Sequence, residues 1–188
     1  MSDRCWFTSD THFGHSNILQ YSKRPFDDVS DMRESLIHNW NSVVQPGDRV
    51  YHLGDFALCN PEEATKIVQR LNGQRFLVFG NHDKALRKDA AFLSHWIWAR
   101  DMAEIEVEGQ KIILCHYALK TWNQSHRGSW NLYGHSHGSL KDDPGSKQID
   151  VGVDCHDYYP ISFEEVKKKM DKKVFVPSDH HGARPGGY

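Results

Sequence analysis

Gly134-His135-Ser136-His137 is the stretch on which the reading of this sequence turns. In an extended segment, side chains two apart point to the same side, so both imidazoles can face one point. Asp10-Thr11-His12 repeats the spacing with a carboxylate and an imidazole. Gly54-Asp55, Gly80-Asn81-His82-Asp83 and Cys115-His116 each set another oxygen or nitrogen donor beside an apolar run. The runs before the five clusters, residues 5–9, 49–53, 75–79, 111–115 and 131–133, read as strands. Five donor clusters at strand ends describe a metal site assembled from several loops.

Between these strands the pattern changes to a helical one. Met32, Leu36, Trp40 and Val43 or Val44 recur near a 3.6-residue period, with Ser30 or Asp31 as the expected cap and Pro46-Gly47 as the stop. Pro61 at a first turn opens a second helix through Ile67, Val68 and Leu71, ending before Gly73. Residues 84–95 are expected to be helical as well. Later the chain is richer in strands. Glu108-Gly109-Gln110 joins a hairpin, residues 148–153 form a late strand, and Ser162 with Glu165 forms a capping box for a last helix through Val166 and Met170. Strands alternating with helices and then pairing in hairpins make an α/β protein, with the donors where open α/β sheets gather their loops, at the carboxyl ends of strands.

A chain of 188 residues supports one domain with a substantial core. We expect that domain over residues 1–176 and a flexible tail over 177–188, carrying His180 and His181. A net charge of −2 with neutral histidines offers no basic balance for long nucleic acid. No apolar run approaches the ~20 residues that span a bilayer, and Met1-Ser2-Asp3-Arg4 leads into a strand with no apolar signal segment. The expected location is cytoplasmic, with no membrane partner. The four cysteines form no C-x-x-C pair and read as reduced thiols. The run Lys167-Lys168-Lys169 reads as the solvated face of the last helix. Nothing in the sequence specifies an oligomeric state.

The donors are Asp10, His12, Asp55, Asn81, His116, His135 and His137. Four ligands suffice for one tetrahedral ion, so seven suit two ions sharing a bridging carboxylate. Two ions about 3.5–4 Å apart can clamp both the attacking and the leaving oxygen of a phosphoryl displacement. A mixed carboxylate, imidazole and amide set favours a divalent transition metal, Mn first, with Fe, Ni, Zn or Co as alternatives.

In order, D-x-H, G-D, G-N-H-D, a lone His after a strand and G-H-x-H, running from Asp10 to His137, resemble the motifs of the calcineurin-like metallophosphoesterases. The resemblance implies a four-layer sandwich of two mixed β-sheets flanked by helices. It implies that Asp10, His12 and His137 bind a first metal and that Asn81, His116 and His135 bind a second. Asp55 would bridge them, a bridging hydroxide would be the nucleophile, and His82 would protonate the leaving group. The protein phosphatases of the family continue their G-D motif as G-D-x-V-D-R-G. Here Gly54-Asp55-Phe56-Ala57-Leu58-Cys59-Asn60 lacks that arginine. The run Asp10-Thr11-His12-Phe13-Gly14-His15, with Arg24-Pro25-Phe26 after it, is similar to a small bacterial and phage branch of the superfamily.

His15 and Arg24 are candidate contacts to phosphate oxygens, Arg24 bidentately. His52, in a strand beside the site, reads as support or core. The function expected is a dinuclear metal-dependent phosphoesterase acting on small or nucleotide-like phosphodiesters. Alternatives are a phosphomonoesterase and a nuclease on DNA or RNA ends, with Trp122, Trp130 or Tyr133 stacking bases. A non-catalytic scaffold on the same fold is a further alternative, against which stands the full donor set retained here.

Overall fold

The computed structural model describes residues 4–176. The expected tail at 177–188, with His180 and His181, lies outside the described residues. Nine strands and five α-helices are found among them. The first sheet contains β1 (Cys5–Thr8), β2 (Arg49–His52), β3 (Gln74–Val78), β4 (Trp98–Arg100) and β9 (Ile161–Ser162) in the order β4-β3-β2-β1-β9. The second contains β5 (Met102–Val107), β6 (Gln110–Cys115), β7 (Trp130–Tyr133) and β8 (Gln148–Asp150) in chain order. Both are mixed: β9 runs antiparallel to β1, β5 antiparallel to β6, and the other pairs are parallel. The protein is α/β with two mixed sheets and five helices among the described residues, as the sequence led us to expect, although no α-helix lies between β5 and β8 to cover the second sheet.

Alternation along the strands builds two cores. Phe7, Tyr51, Leu53, Phe76 and Val78 on the first sheet meet Val107, Ile112, Leu114, Leu132 and Ile149 on the second. On the other face of the first sheet, Trp6, Val50 and Leu77 are covered by α2 (Val29–Val43) and α3 (Pro61–Val68), which bury Met32, Leu36, Trp40, Ala64, Ile67 and Val68. Two short helices, α1 (Ile18–Tyr21) and α4 (Ala90–Leu93), lie in connections. The last, α5 (Phe163–Asp171), opens with the expected capping box and packs Phe163, Val166 and Met170 into the inter-sheet core. On the outer side of the second sheet the 117–129 segment, and not a long helix, makes the contacts: Leu119 N–H bonds Asn131 Oδ1, and Asn123 bonds Glu104.

Four local readings change. The cap of α2 is Asp28, two or three residues earlier than expected, its carboxylate accepting from Ser30 and Asp31 N–H. Residues 84–95 are not one helix but a 3₁₀ turn at Leu86–Lys88 followed by α4. Asp89 separates them with an extended backbone and caps α4 through Phe92 N–H. The late strand stops at Asp150, whose Oδ1 accepts Gly152 N–H in an Asx turn. β4 and β9, three and two residues long, are too short to leave a periodic signal.

The registers align the strand ends. Thr8 pairs with His52 and His52 with Leu77, so β1, β2 and β3 finish at one level. β6 and β7 run parallel with Leu114 opposite Leu132. An isolated parallel bridge between Ser9 and Gly152 ties the two groups of strand ends together.

Candidate metal centre

Sharp turns carry the donors off the strands. Asp10, His12, Asp55, His135 and His137 all have positive φ, between 46° and 67°. Left-handed backbone costs a side-chain-bearing residue about 1–3 kcal/mol and clusters at functional sites. The glycines permit close approach: a Cβ at Gly134 would overlap Ser9 and Asp10, and one at Gly80 would overlap Asp55. Backbone bonds lock the turns together, from Asp10 N–H to Gly54 O (2.9 Å), from His12 N–H to Asp55 O (3.0 Å) and from Gly134 N–H to His116 O (3.0 Å).

Two donor groups result. Asp10, His12 and His137 offer ligand atoms within 4.8 Å of one another, and so do Asp55, His116 and His135. Asn81 joins the second group, its Oδ1 3.1 Å from His116 Nε2. Asp55 stands between the groups: its Oδ2 is 3.5 Å from both His12 Nε2 and His116 Nε2. Two ligands bound at 2.0–2.2 Å to one ion at a tetrahedral angle lie roughly 3.4 Å apart, so these spacings suit shared coordination. The other oxygen, Oδ1, accepts His82 N–H at 2.8 Å.

The chemistry of the donors fits a cation. His12 Nε2 is buried with no hydrogen-bond partner, which is costly unless a metal takes its lone pair. Burial pushes His12 down to about 2, holding it in the neutral, ligating form. The same burial pushes Asp10 up to about 7, so its charge needs a nearby cation. His116 Nδ1 lies 2.7 Å from Leu53 O and His137 Nδ1 lies 2.7 Å from Asp154 Oδ2. Both contacts fix the N–H on Nδ1 and leave Nε2 directed at the carboxylates, as supporting groups do for metal-binding histidines.

A cleft of about 620 Å³ opens over the centre, lined among others by His12, His15, Tyr21, His82, His135 and His137. His82 is exposed at its mouth, its ring centroid 5.3 Å from that of His12. His15 backs His12, the two Nδ1 atoms 3.4 Å apart. Tyr21 is 73% exposed with its ring against His15, and Tyr117 is 46% exposed with its ring 4.8 Å from His135. Neither tyrosine stood out in the sequence, because nothing local distinguishes them from other surface aromatics. Trp130 and Tyr133 were candidates for base stacking; both are buried, Trp130 against Phe163, and neither lines this cleft.

Arg24 requires a correction. Its side chain is fully buried, and its five N–H groups are directed at Asp154, the Asp10 and Thr11 carbonyls and Met32 Sδ. No donor remains for a phosphate. His52 is buried too, supporting the loops through Thr11 Oγ1 and Gly54 N–H. Two carboxylates escaped the sequence reading as supports. Asp154 receives both Arg24 and His137. Asp83 accepts from Asp55, Phe56 and Gly80 N–H at 2.7–2.9 Å, binding the G-D loop to the G-N-H-D loop. Its place in the latter motif was the only signal. The four cysteines are free thiols, as expected.

A family model, the Calcineurin-like phosphoesterase superfamily domain, matches residues 4–150. The chain is 34% identical over 180 residues to an uncharacterized protein of Methanocaldococcus jannaschii, covering 92% of this chain and 94% of that protein. It is 27% identical over 179 residues to the gene 66 protein of Mycobacterium phage L5, covering 80% and 86% respectively. Among solved structures, a protein of unknown function from Aquifex aeolicus superposes with a TM-score of 0.69 and 26% identity, covering 89% of this chain and 99% of that one. No helix of the described residues is long and apolar enough to cross a membrane.

Proposed function

The chain belongs to the calcineurin-like phosphoesterase superfamily, and on that premise we propose that it is a dinuclear metal-dependent hydrolase of phosphodiesters, small or nucleotide-like. The observation that carries the dinuclear reading is Asp55 Oδ2, equidistant at 3.5 Å from an imidazole of each donor group. Asp10, His12 and His137 would hold one ion, Asn81, His116 and His135 the other, with Asp55 common to both. Divalent ions supply charge neutralisation at the phosphoryl oxygens and activation of water. Manganese suits this mixed donor set best, with Fe, Ni, Zn or Co as substitutes.

The chain's own residues do the rest. His82, at the mouth of the cleft, delivers a proton to the departing oxygen. His15, its Nδ1 3.4 Å from that of His12 and its ring at the cleft, would touch the phosphoryl group. Tyr21 offers an exposed face to an aromatic substituent such as a base. The preference for a diester rests on the geometry of charge: Lys23 is a point charge at the cleft, no arginine is among the described residues lining it, and Arg24 is spent elsewhere. A dianionic monoester finds no guanidinium fork there.

The test is metal-stripped protein assayed with bis-p-nitrophenyl phosphate and p-nitrophenyl phosphate, with Mn, Co, Ni, Zn or Mg restored singly. We expect no turnover in chelator, recovery with Mn or a neighbouring transition ion, and a kcat/KM for the diester at least equal to that for the monoester. Turnover that survives exhaustive chelation overturns the metal reading. A strong monoester preference moves the assignment to a phosphatase.

A further inference from the structure

Three segments far apart in sequence converge on one buried guanidinium. Arg24 follows α1 and is held there by its own N–H to Leu19 O at 2.9 Å. Its Nη2 donates to Asp10 O at 2.6 Å and its Nη1 to Thr11 O at 3.0 Å, gripping the D-x-H turn from beneath. Its Nε and Nη2 both bond Asp154, at 2.8 Å each, 130 residues away. Asp154 sits in a 3₁₀ turn, Val153–Cys155, brought to the end of β1 by Val153 N–H on Ser9 O. The same carboxylate then receives His137 Nδ1 at 2.7 Å. The Arg24 side chain is 0% exposed and that of Asp154 is 7% exposed.

We propose that Arg24 and Asp154 are the positioning residues of the first metal site, one buried ion pair that sets Asp10, His12 and His137 in ligating geometry. The inference rests on the reading above that these three side chains hold an ion, and adds how they are held. Arg24 orients two of them through the backbone of their shared turn, and the third through Asp154. The planar fork is needed, because it presents a bidentate edge to Asp154 while its other N–H groups reach two carbonyls. Asp154 fixes the His137 tautomer with the proton on Nδ1, leaving Nε2 free to ligate and more basic. The second donor group has no direct contact with this pair and meets it at one remove, through His135 N–H on Asp10 Oδ2 at 2.9 Å and His12 N–H on Asp55 O at 3.0 Å. His116 is oriented by Leu53 O, and Asp55 is held by His82 N–H through its side chain and by Asp83 through its own N–H. The pair therefore acts directly on the first metal site and only indirectly on the second.

Isothermal titration of metal-stripped protein with Mn²⁺ tests this without relying on turnover. The wild type should take up two equivalents. Asp154→Asn preserves shape and Arg24→Lys preserves charge. Each should weaken one equivalent ~10–100-fold, the range typical for loss of a ligand's supporting group, and leave the other within about threefold. A double-mutant cycle assigns the effect. In a His137→Ala background, Asp154→Asn should weaken the remaining uptake by clearly less than it does in the wild type, because the part of its effect that runs through that imidazole is gone and only the part through Arg24 remains. If Arg24→Lys does not fold, the near-isosteric Asp154→Asn and its cycle decide alone. Wild-type affinity for both equivalents in Asp154→Asn, or an equal loss at both with a lowered melting temperature of the stripped protein, overturns the proposal and leaves the pair a general brace. Uptake of fewer than two equivalents by the wild type brings down the dinuclear reading itself, a result separable from failure of the variants alone.

Discussion

Asp55 and His82 are neighbours in the site but should behave differently when removed. Asp55 Oδ2 lies 3.5 Å from an imidazole of each group, so on the proposed reading it alone would contribute to both coordination spheres. We expect Asp55→Ala to lose both ions on dialysis and His12→Ala to weaken mainly one. Elemental analysis after dialysis decides, and a full metal pair in the Asp55 variant rules out the bridge. His82→Ala should keep both ions, since the ring is exposed and only its backbone N–H touches Asp55. A general acid matters in proportion to leaving-group basicity and is typically worth ~10²–10⁴-fold. The variant should lose little on p-nitrophenyl esters and ~10²-fold or more in kcat/KM on alkyl or nucleoside esters. An equal loss across leaving groups would assign His82 to phosphate binding. Motif spacing marked Asp55 as a donor, while the role of His82 came only with the family resemblance. Arg24 was misassigned for a physical reason: an arginine beside a donor cluster looks the same in sequence whether it faces the cleft or lies beneath it.

At the level of elements, the working parts are the turns that leave β1, β2, β3, β6 and β7. Their positions were legible because an apolar run ending in a residue of metal-ligating type, behind a glycine after β2, β3 and β7, announces a strand and its exit. What braces them was not. Asp83 caps three N–H groups drawn from two turns. Asp83→Asn keeps the size but replaces one acceptor oxygen with a donor, setting N–H against N–H in a buried place. Hydrogen bonds to a charged group are worth about 1.5–3 kcal/mol each, so we expect a loss of about 2–4 kcal/mol in urea unfolding, together with weaker binding at the Asn81, His116 and His135 group. Retention of wild-type stability would show that the turns hold without the carboxylate. The misread helix over residues 84–95 belongs at this scale too. Its composition suits a helix, but the extended backbone at Asp89 divides it.

For the molecule as a whole, acid stability should run in part through His52, beside the more strongly depressed His12. Its side chain is fully buried between the first sheet and its helices, near Trp40, Phe56 and Trp96. Thr11 Oγ1 donates to Phe56 O, so His52 Nε2–H donates to Thr11, and His52 Nδ1 accepts Gly54 N–H. A second proton would confront the Gly54 N–H, and burial already pushes the imidazole down to about 3. The unfolded chain therefore binds more protons between pH 3 and pH 6.5, so stability rises with pH across that window. His52 contributes fully above pH 6.5, and the contribution fades as pH falls toward 3. In chelator, the wild type should lose about 2–3 kcal/mol more than His52→Gln between pH 7.5 and pH 4.5. Parallel losses in the two proteins would place the acid sensitivity elsewhere.

By itself the sequence determined the α/β class, the order of the donor clusters and their places at strand ends. Each of these is written in short-range periodicity and in the spacing of residue types. Tertiary structure alone decided which donors share a neighbourhood, through strand registers that level Thr8, His52 and Leu77 and a bridge from Ser9 to Gly152. It also decided that Asp154 answers Arg24 across 130 residues and that Tyr21 edges the cleft. Side-chain pairing over such distances depends on where the folded backbone brings the residues, and local sequence pattern carries no record of it.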